Sequence, residues 1–378
     1  MIDVKTHGPW VARVEDDEIS YDGSTRMEAV AAVDLFCGAG GLTYGLQKAG
    51  VPVVAGIDLD EQSRHAFTAN NEPARFVAKD IAETTAQELV ELFGVAAVRV
   101  LAGCAPCQPF SKYTNGKGKH AKWDLLLSFE RLVQEVHPEV VTMENVPELA
   151  TKGKEVFESF NTTLKSLGYW VTWGVVNAAD FGVPQNRLRL VLLASRLGPI
   201  GMPVRMKEAK RTVRETIAGL PPLRSGQQDP DDRIHIAADL KEINLRRIRA
   251  TPHDGGTRAA WPEELLLECY RRPSGKKTVS VYGRMWWDRP APTMTTLCNG
   301  IGNGRFGHPV HDRAISLREA ALIQSFPLEY DFWPSTARLN RKAIARMIGN
   351  AVPPELGRAL GETIVEHIRK HAGDGSGA

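Results

Sequence analysis

No uncharged apolar run in this 378-residue chain approaches the roughly 18 residues that a bilayer crossing requires. The opening stretch MIDVKTHGPWVARVEDDEIS also lacks the apolar centre of a secretory leader. An intracellular, cytoplasmic protein that stays out of membranes is therefore expected. Cysteine is scarce: Cys37, Cys104, Cys107, Cys269 and Cys298 form an odd, scattered set, which argues against a secreted disulfide framework and for reduced thiols. There is no internal repeat. Net charge is low as well, at +2, but it is unevenly spread. Residues 201–286 hold 17 Lys and Arg against 11 Asp and Glu, so the remainder of the chain is net acidic. Such a basic block is either a solvated face or the footprint of a polyanion-binding element.

From about residue 29 the chain alternates between strand and helix signals. VAAVDLF (30–36), VPVVAGIDLD (51–60), AAVRVLAG (96–103), PEVVTMEN (138–145), YWVTWGVVN (169–177) and LRLVLLA (188–194) read as strands. Several of them end in polar residues. Leu125, Phe129, Leu132 and Val136 fall at helical spacing and give one apolar face. This alternation predicts an α/β protein with a doubly wound, mostly parallel sheet that binds ligands at the carboxyl ends of its strands. After residue 196 the regularity stops, and LPPLRSGQQDPDD, TPHDGG and RRPSGKK punctuate a smaller, irregular second domain. Helical pattern resumes in SLREAALIQSF (316–326) and in PPELGRALGETIVEHIRK (353–370), where Leu356, Leu360, Ile364 and Ile368 share a stripe. The expected organisation is an acidic, polar arm (1–28), a first α/β segment (29–196), a smaller irregular domain (197–289), a return segment that completes the first (290–370) and a disordered tail (371–378).

Chemistry concentrates at the expected strand ends. DLFCGAGGLTYGL places Gly38 and Gly40 after the first strand, but Thr43 stands where a dinucleotide fingerprint needs its third glycine. A nucleoside ligand without a pyrophosphate, such as S-adenosylmethionine, relaxes that need. Phe36 then offers a ring face, and Asp58, about 20 residues on, can accept from ribose hydroxyls. The alternative is a glycine turn required only for strand-to-helix packing. Asp80 in KDIAE either accepts from an adenine amino group or caps a helix.

GCAPCQPFS, residues 103–111, poses a separate question. A redox Cys-x-x-Cys motif needs its first cysteine at a helix start, which Pro106 and Pro109 oppose, and no Cys/His pair nearby completes a zinc site. That leaves one reactive thiol and one inert neighbour. Cys104 continues the apolar run of the strand, whereas Cys107 lies in the proline-bounded loop. The next strand delivers Glu144 and Asn145 to the same rim, and PQNRLRL brings Arg187 and Arg189. A thiol, a carboxyl group and two guanidinium groups suit addition to an electron-poor ring. Amide hydrolysis would call for a histidine base, and these segments contain none.

The ordered set DLFCGAGGLTYGL, GIDLD, KDI, GCAPCQPFS, ENV, QNRLR, SLREAALIQSFP and GNAVPP resembles the bacterial DNA (cytosine-5) methyltransferases. The likeness covers residues 32–195 and about 290–360 and leaves the basic block as the target recognition region. It implies that the Cys107 thiolate adds to carbon 6 of a cytosine, and that carbon 5 then takes a methyl group from S-adenosylmethionine. Glu144 would hold the ring nitrogen and amino edge, for which it has to carry or share a proton. Arg189, helped by Arg187, would stabilise the carbonyl oxygen. Cofactor contacts implied by the resemblance are Phe36, Gly38, Gly40, Gly41, Asp58, Leu59, Asp80, Ile81, Pro106, Asn350 and Val352; no metal is implied. Leu59 departs from the pattern, standing where many relatives carry an aromatic residue over the adenine.

The partner implied is double-stranded DNA, from which the cytosine must be rotated out of the stack. A monomer on DNA, association with the nucleoid and a companion restriction endonuclease fit the same picture. Two other readings stay open on sequence: a transfer RNA cytosine methyltransferase on the same scaffold, and a catalytically dead DNA-binding protein. Trp261, Tyr270, Tyr282, Trp286 and Trp287, interleaved with basic residues, are expected mostly in the core of the small domain.

Overall fold

The computed structural model describes residues 29–106, 124–272 and 280–371, together with Met27. Cys107, most of the polar arm and nearly all of the tail thus lie outside the described residues. Seven strands form one sheet: β1 (Val30–Leu35), β2 (Val53–Asp58), β3 (Arg75–Ala78), β4 (Val98–Gly103), β5 (Val140–Asn145), β6 (Trp170–Asn177) and β7 (Leu188–Ser195). Their order is β3-β2-β1-β4-β5-β7-β6. Neighbours from β3 through β5 are parallel, and β7 runs antiparallel to both β5 and β6. All six strands expected from the sequence are present, with ends shifted by at most two residues. The seventh, β3, is four residues long and only Phe76 within it is buried, so it carries little periodic signal.

The central strand explains why the sheet is covered on both faces. Every residue of β1 is buried; Val30 and Ala32 pack into one apolar cluster while Ala31, Val33 and Leu35 pack into another. The first cluster is closed by α1 (Gly41–Lys48) and by the carboxy-terminal helix, the second by α2 (Ala86–Phe93), α3 (Asp124–Val136) and α4 (Lys154–Ser166). On α3 the apolar face is offset from expectation at one end: Leu126 is buried and Leu125 only half-buried, while Phe129, Leu132 and Val136 are buried as the spacing predicts. At the outer edge, β6 leaves Trp170, Trp173 and Val175 exposed.

Beyond residue 196 the described chain has short helices, α5 (Val213–Ile217), α6 (Glu242–Arg249) and α7 (Glu268–Arg271), joined by turns and isolated bridges. With little ladder pairing there, backbone carbonyls need other donors. Buried arginines supply them. Arg284 donates to the carbonyls of Ile248, Thr251, His308 and His311 and pairs with Asp312. Arg305 donates to Gly255 and Arg284, and Arg313 to Leu223 and Ala314. Of these only Arg284 belongs to the basic block 201–286, so at least one of its cations is internal mortar. Trp261 and Tyr282 lie in the core of this region and Tyr270 packs against it, as expected for most of its aromatics.

Two apolar clusters run across the expected boundary at residue 289. Val213, Ile217, Ile234, Ile236 and Met285 share one core with Ile315, Leu317 and Ile344, and Trp261 and Tyr282 share another with Ile301 and Ala314.

The return segment contributes α8 (Leu317–Ile323), α9 (Arg341–Asn350) and α10 (Pro354–His371). Ser316 and Glu319 form a capping box at the start of α8, and Glu319 also takes a bidentate pair from the buried Arg313. On α10 the stripe Leu356, Leu360, Ile364 and Ile368 is fully buried, as expected. It docks on α1 through glycines. A methyl group on Gly45 would lie 2.3 Å from the Pro354 carbonyl oxygen and 2.5 Å from the Arg358 nitrogen, and one on Gly361 would lie 2.6 Å from the Ala49 Cβ.

Replacing Gly45 by Ala gains up to about 1 kcal/mol of helix propensity but forces two backbones apart, at a cost of about 1–3 kcal/mol. A net fall in the urea midpoint of Gly45→Ala is expected. A second prediction concerns Asp34 in β1, whose Oδ2 accepts from Thr43 while its buried Oδ1 has no partner among the described residues. Burial pushes this carboxyl up to about 7. The folded state therefore holds the proton more tightly than the unfolded chain. Stability from this group is fully present below about pH 4 and is lost as pH rises through about 7. Asp34→Asn removes that slope, so urea midpoints at about pH 5 and about pH 8 should differ less in the variant than in the parent.

Candidate active site

The carboxyl ends of β1, β2, β3, β4 and β5 and the start of the reversed β7 meet at one rim, and the residues singled out from sequence lie along it. Immediately after β1 the chain turns through Phe36 (φ 60°), Gly38 (φ 50°) and Gly40 (φ 88°). A phenylalanine in the left-handed region is uncommon and marks a backbone held by its surroundings. The glycines here divide by role. A methyl group on Gly40 would lie 2.3 Å from the Asn71 side chain, and one on Gly41 2.4 Å from the Val352 carbonyl oxygen; both are packing glycines. Gly38 is different. Its nearest neighbour would be Asp58 Oδ2 at 4.0 Å, so its missing side chain leaves backbone open beside a carboxylate.

Asp58, at the end of β2, accepts from the Gly38 amide at 2.8 Å through Oδ2 and from the Asp60 amide at 2.7 Å through Oδ1. Burial raises its carboxyl above the ordinary range against the pull of these two donors. Each carboxylate oxygen still has a second lone pair for a ligand hydroxyl. Next to it Leu59 is 68% exposed, an apolar side chain that a flat ring could cover. Asp80, after β3, caps its own turn through the Ala82 amide at 2.9 Å, and the following Ile81 is buried. Asp80 thus closes a short turn and caps no helix, the following helix being capped by Thr85, and its partly exposed carboxylate remains at the rim.

At β4 and β5 the contacts are closer. Glu144 is 2% exposed, and its Oε1 lies 2.8 Å from Arg189 Nε. The approach is a charge contact without hydrogen-bond geometry, so Oε1 has no hydrogen-bond donor among the described residues. Cys104 Sγ donates to Glu144 Oε2 at 2.9 Å. Cys104 is half-buried, not the inert buried strand end expected from its apolar run. The next residue of the strand, Asn145, donates from Nδ2 to the Ala105 carbonyl at 3.0 Å and so pins the segment leading to the exposed Pro106.

Arg187 departs from expectation. It is buried, donating from Nη1 to the Met294 carbonyl at 2.9 Å and from Nη2 to those of Gly349 and Ala351 at 3.1 and 3.2 Å. Burial, and then the nearby Arg189, lower its guanidinium to about 9, so it remains charged at neutral pH. Two of its three nitrogens are thus committed to the return segment, and Arg187 clamps where Arg189 alone faces Glu144.

Three residues were missed as structural partners although they lie within or beside the quoted motifs. Gln185 accepts from the Met294 amide and donates to Gln324, which in turn donates to the Ala351 carbonyl. Tyr330 donates to the Ala39 carbonyl inside the glycine turn and accepts from Asn71. A buried glutamine gives no periodic signal, and Tyr330 is 291 residues from its partner in sequence. The same stitching places the Val352 carbonyl against Gly41, with Val352 itself buried and Asn350 exposed.

Comparison with known proteins agrees with this arrangement. Residues 30–366 match the C-5 cytosine-specific DNA methylase family. The chain is 50% identical over 337 residues to the type II methylase M.HgiDII of Herpetosiphon aurantiacus, covering 88% of this chain and 94% of that protein. It is 30% identical to the type II methyltransferase M.XorII of Xanthomonas oryzae, covering 89% and 85%. Among solved structures, a putative DNA modification methyltransferase from an Escherichia coli prophage superposes with a TM-score of 0.70 at 20% identity, over 90% of this chain and 99% of that one. DNMT2 of Spodoptera frugiperda gives 0.60 at 17% identity, over 88% and 99%. With a family match spanning nearly the whole sheet and the return helices, and a half-identical relative of almost equal extent, the chain belongs to the C-5 cytosine-specific DNA methylases.

Proposed function

We propose that this member of the family transfers a methyl group from S-adenosylmethionine to carbon 5 of a cytosine rotated out of double-stranded DNA, through a covalent bond from Cys107 to carbon 6. The observation that carries the reading is the buried Glu144, with one oxygen free of hydrogen-bond donors, facing Arg189 beside the segment that leads to Cys107. S-adenosylmethionine supplies an electrophilic methyl group. The open backbone at Gly38, the Asp58 carboxylate and the exposed Leu59 suit its methionine, ribose and adenine parts, with Phe36, Asp80, Ile81, Pro106, Asn350 and Val352 around them.

In the chemistry proposed, the Cys107 thiolate donates its electron pair to carbon 6, and the ring double bond moves onto carbon 5 as the new nucleophile. Glu144 holds N3 and the amino edge and shares a proton with N3 as charge develops; Arg189 stabilises the ring carbonyl oxygen. As carbon 5 bonds to the methyl carbon, the bond from that carbon to the donor sulfur would break with its electron pair staying on sulfur; a solvent base then takes the carbon 5 proton, the freed C–H pair re-forms the double bond, and the thiolate leaves carbon 6 with its own pair. Arg187 acts one step back, keeping the return segment against the rim. Lys207, Arg211, Arg224, Lys241 and Arg246 remain exposed on the second region and suit phosphate contacts, in contrast to the arginines buried beneath them.

Among the described residues no helix is long and apolar enough to cross a membrane. We place the protein in the cytoplasm on nucleoid DNA as a monomer. The type II names of M.HgiDII and M.XorII support a companion restriction endonuclease of the same specificity.

Methyl transfer from labelled S-adenosylmethionine to duplex DNA should be abolished in Cys107→Ser and largely retained in Cys104→Ser; full activity of the Cys107 variant refutes the nucleophile. Glu144→Gln should lose about 10²–10⁴-fold in kcat, measured in the same assay. Bisulfite sequencing of DNA from cells expressing the protein should show one methylated sequence context. Methylation of transfer RNA in place of DNA would overturn the choice of substrate.

A further inference from the structure

Cys104 occupies a position that the chemistry above does not use. Its amide donates to the Leu35 carbonyl at 3.3 Å, fixing the residue between the ends of β1 and β4. From there its thiol meets Glu144 Oε2 at 2.9 Å while Arg189 stands against Oε1. The carboxyl plane of Glu144 is therefore defined from two sides, by a cation at one oxygen and a neutral S–H donor at the other.

The nature of the second donor matters. A lysine or arginine at Oε2 would orient the carboxyl equally well, but a second cation would oppose the proton that Glu144 has to share with the base. With no donor, the carboxyl could rotate and leave a buried oxygen unsatisfied. A thiol is small and uncharged, and it donates weakly. We infer that Cys104 is a positioning residue for Glu144, holding its carboxyl in the plane that presents Oε1 to the flipped cytosine. This inference rests on the catalytic reading of Cys107 and Glu144.

The test uses the full chain with duplex DNA and S-adenosylmethionine in single-turnover and steady-state measurements. Cys104→Ala is expected to lower kcat by about tenfold or more, the loss associated with a hydrogen bond to a charged group, with KM for both substrates within about twofold. Cys104→Ser, which keeps an uncharged donor, should recover most of that loss. In a Glu144→Gln background, Cys104→Ala should cost little more, since the group it positions is already altered. Unchanged kcat in Cys104→Ala overturns the inference. So does a loss that serine fails to recover, or a loss that adds fully to that of Glu144→Gln. An active Cys107→Ser chain would instead remove the catalytic reading itself, so the two failures are distinguishable.

Discussion

Everything at the rim depends on a close approach between two helices from opposite ends of the chain. α1 carries the glycine turn on its amino-terminal side, and α10 can lie against it only because Gly45 and Gly361 bring no side chains to the contact. Gly41 extends the same seam to the Val352 carbonyl, and Tyr330 ties the Ala39 carbonyl to the return segment. The contact is short-range and steric, and it adds to the hydrogen bonds from the Cys37 amide to Ile57 and from the Gly38 amide to Asp58 that hold the turn from the sheet side. Helix docking and turn geometry are thereby coupled through backbone atoms that cannot adapt as side chains can.

Around that seam, positive charge is used in three ways. Arg284, Arg305 and Arg313 satisfy carbonyls in a region poor in ladder pairing. Arg187 does the same across the joint between the sheet and the return segment, where it clamps Met294, Gly349 and Ala351. Arg189 faces a carboxylate at the rim. Burial decides among the roles, because a guanidinium removed from water must spend its donors on whatever acceptors surround it. The chain's small net charge therefore conceals how much cationic chemistry the fold contains.

Much of this was legible in the sequence, and the gaps have physical causes. The strands β1, β2, β4 and β5 announced themselves as apolar runs, since buried parallel strands need apolar side chains on both faces, whereas the antiparallel edge strand β6 showed through its β-branched and aromatic residues although only Val176 in it is buried. The β3 strand did not, with one buried residue in four. The rim residues were legible because polar side chains at the ends of apolar strands stand out. Which of the glycines leaves backbone open was not: Gly38, Gly40 and Gly41 look alike in sequence, and only their neighbours separate open backbone from packing. Arg187 and Arg189, two apart at the start of β7, invited a shared role, but burial commits Arg187 to the return segment. Cys104 misled in a similar way, because a cysteine ending an apolar run resembles a small hydrophobe until a carboxylate is found within reach. Core packing follows volume rather than chain order, which is why apolar clusters span residue 289 without any mark in the sequence.

The seam between α1 and α10 also sets when the enzyme can exist. A chain leaving the ribosome has made its sheet strands, with the buried Glu144 at the end of β5, long before Pro354–His371 emerges. Until then the glycine turn has no helix against which to close. The seam is therefore completed last in synthesis, and chains cut short anywhere before α10 would carry the rim carboxylate beside a turn without its support.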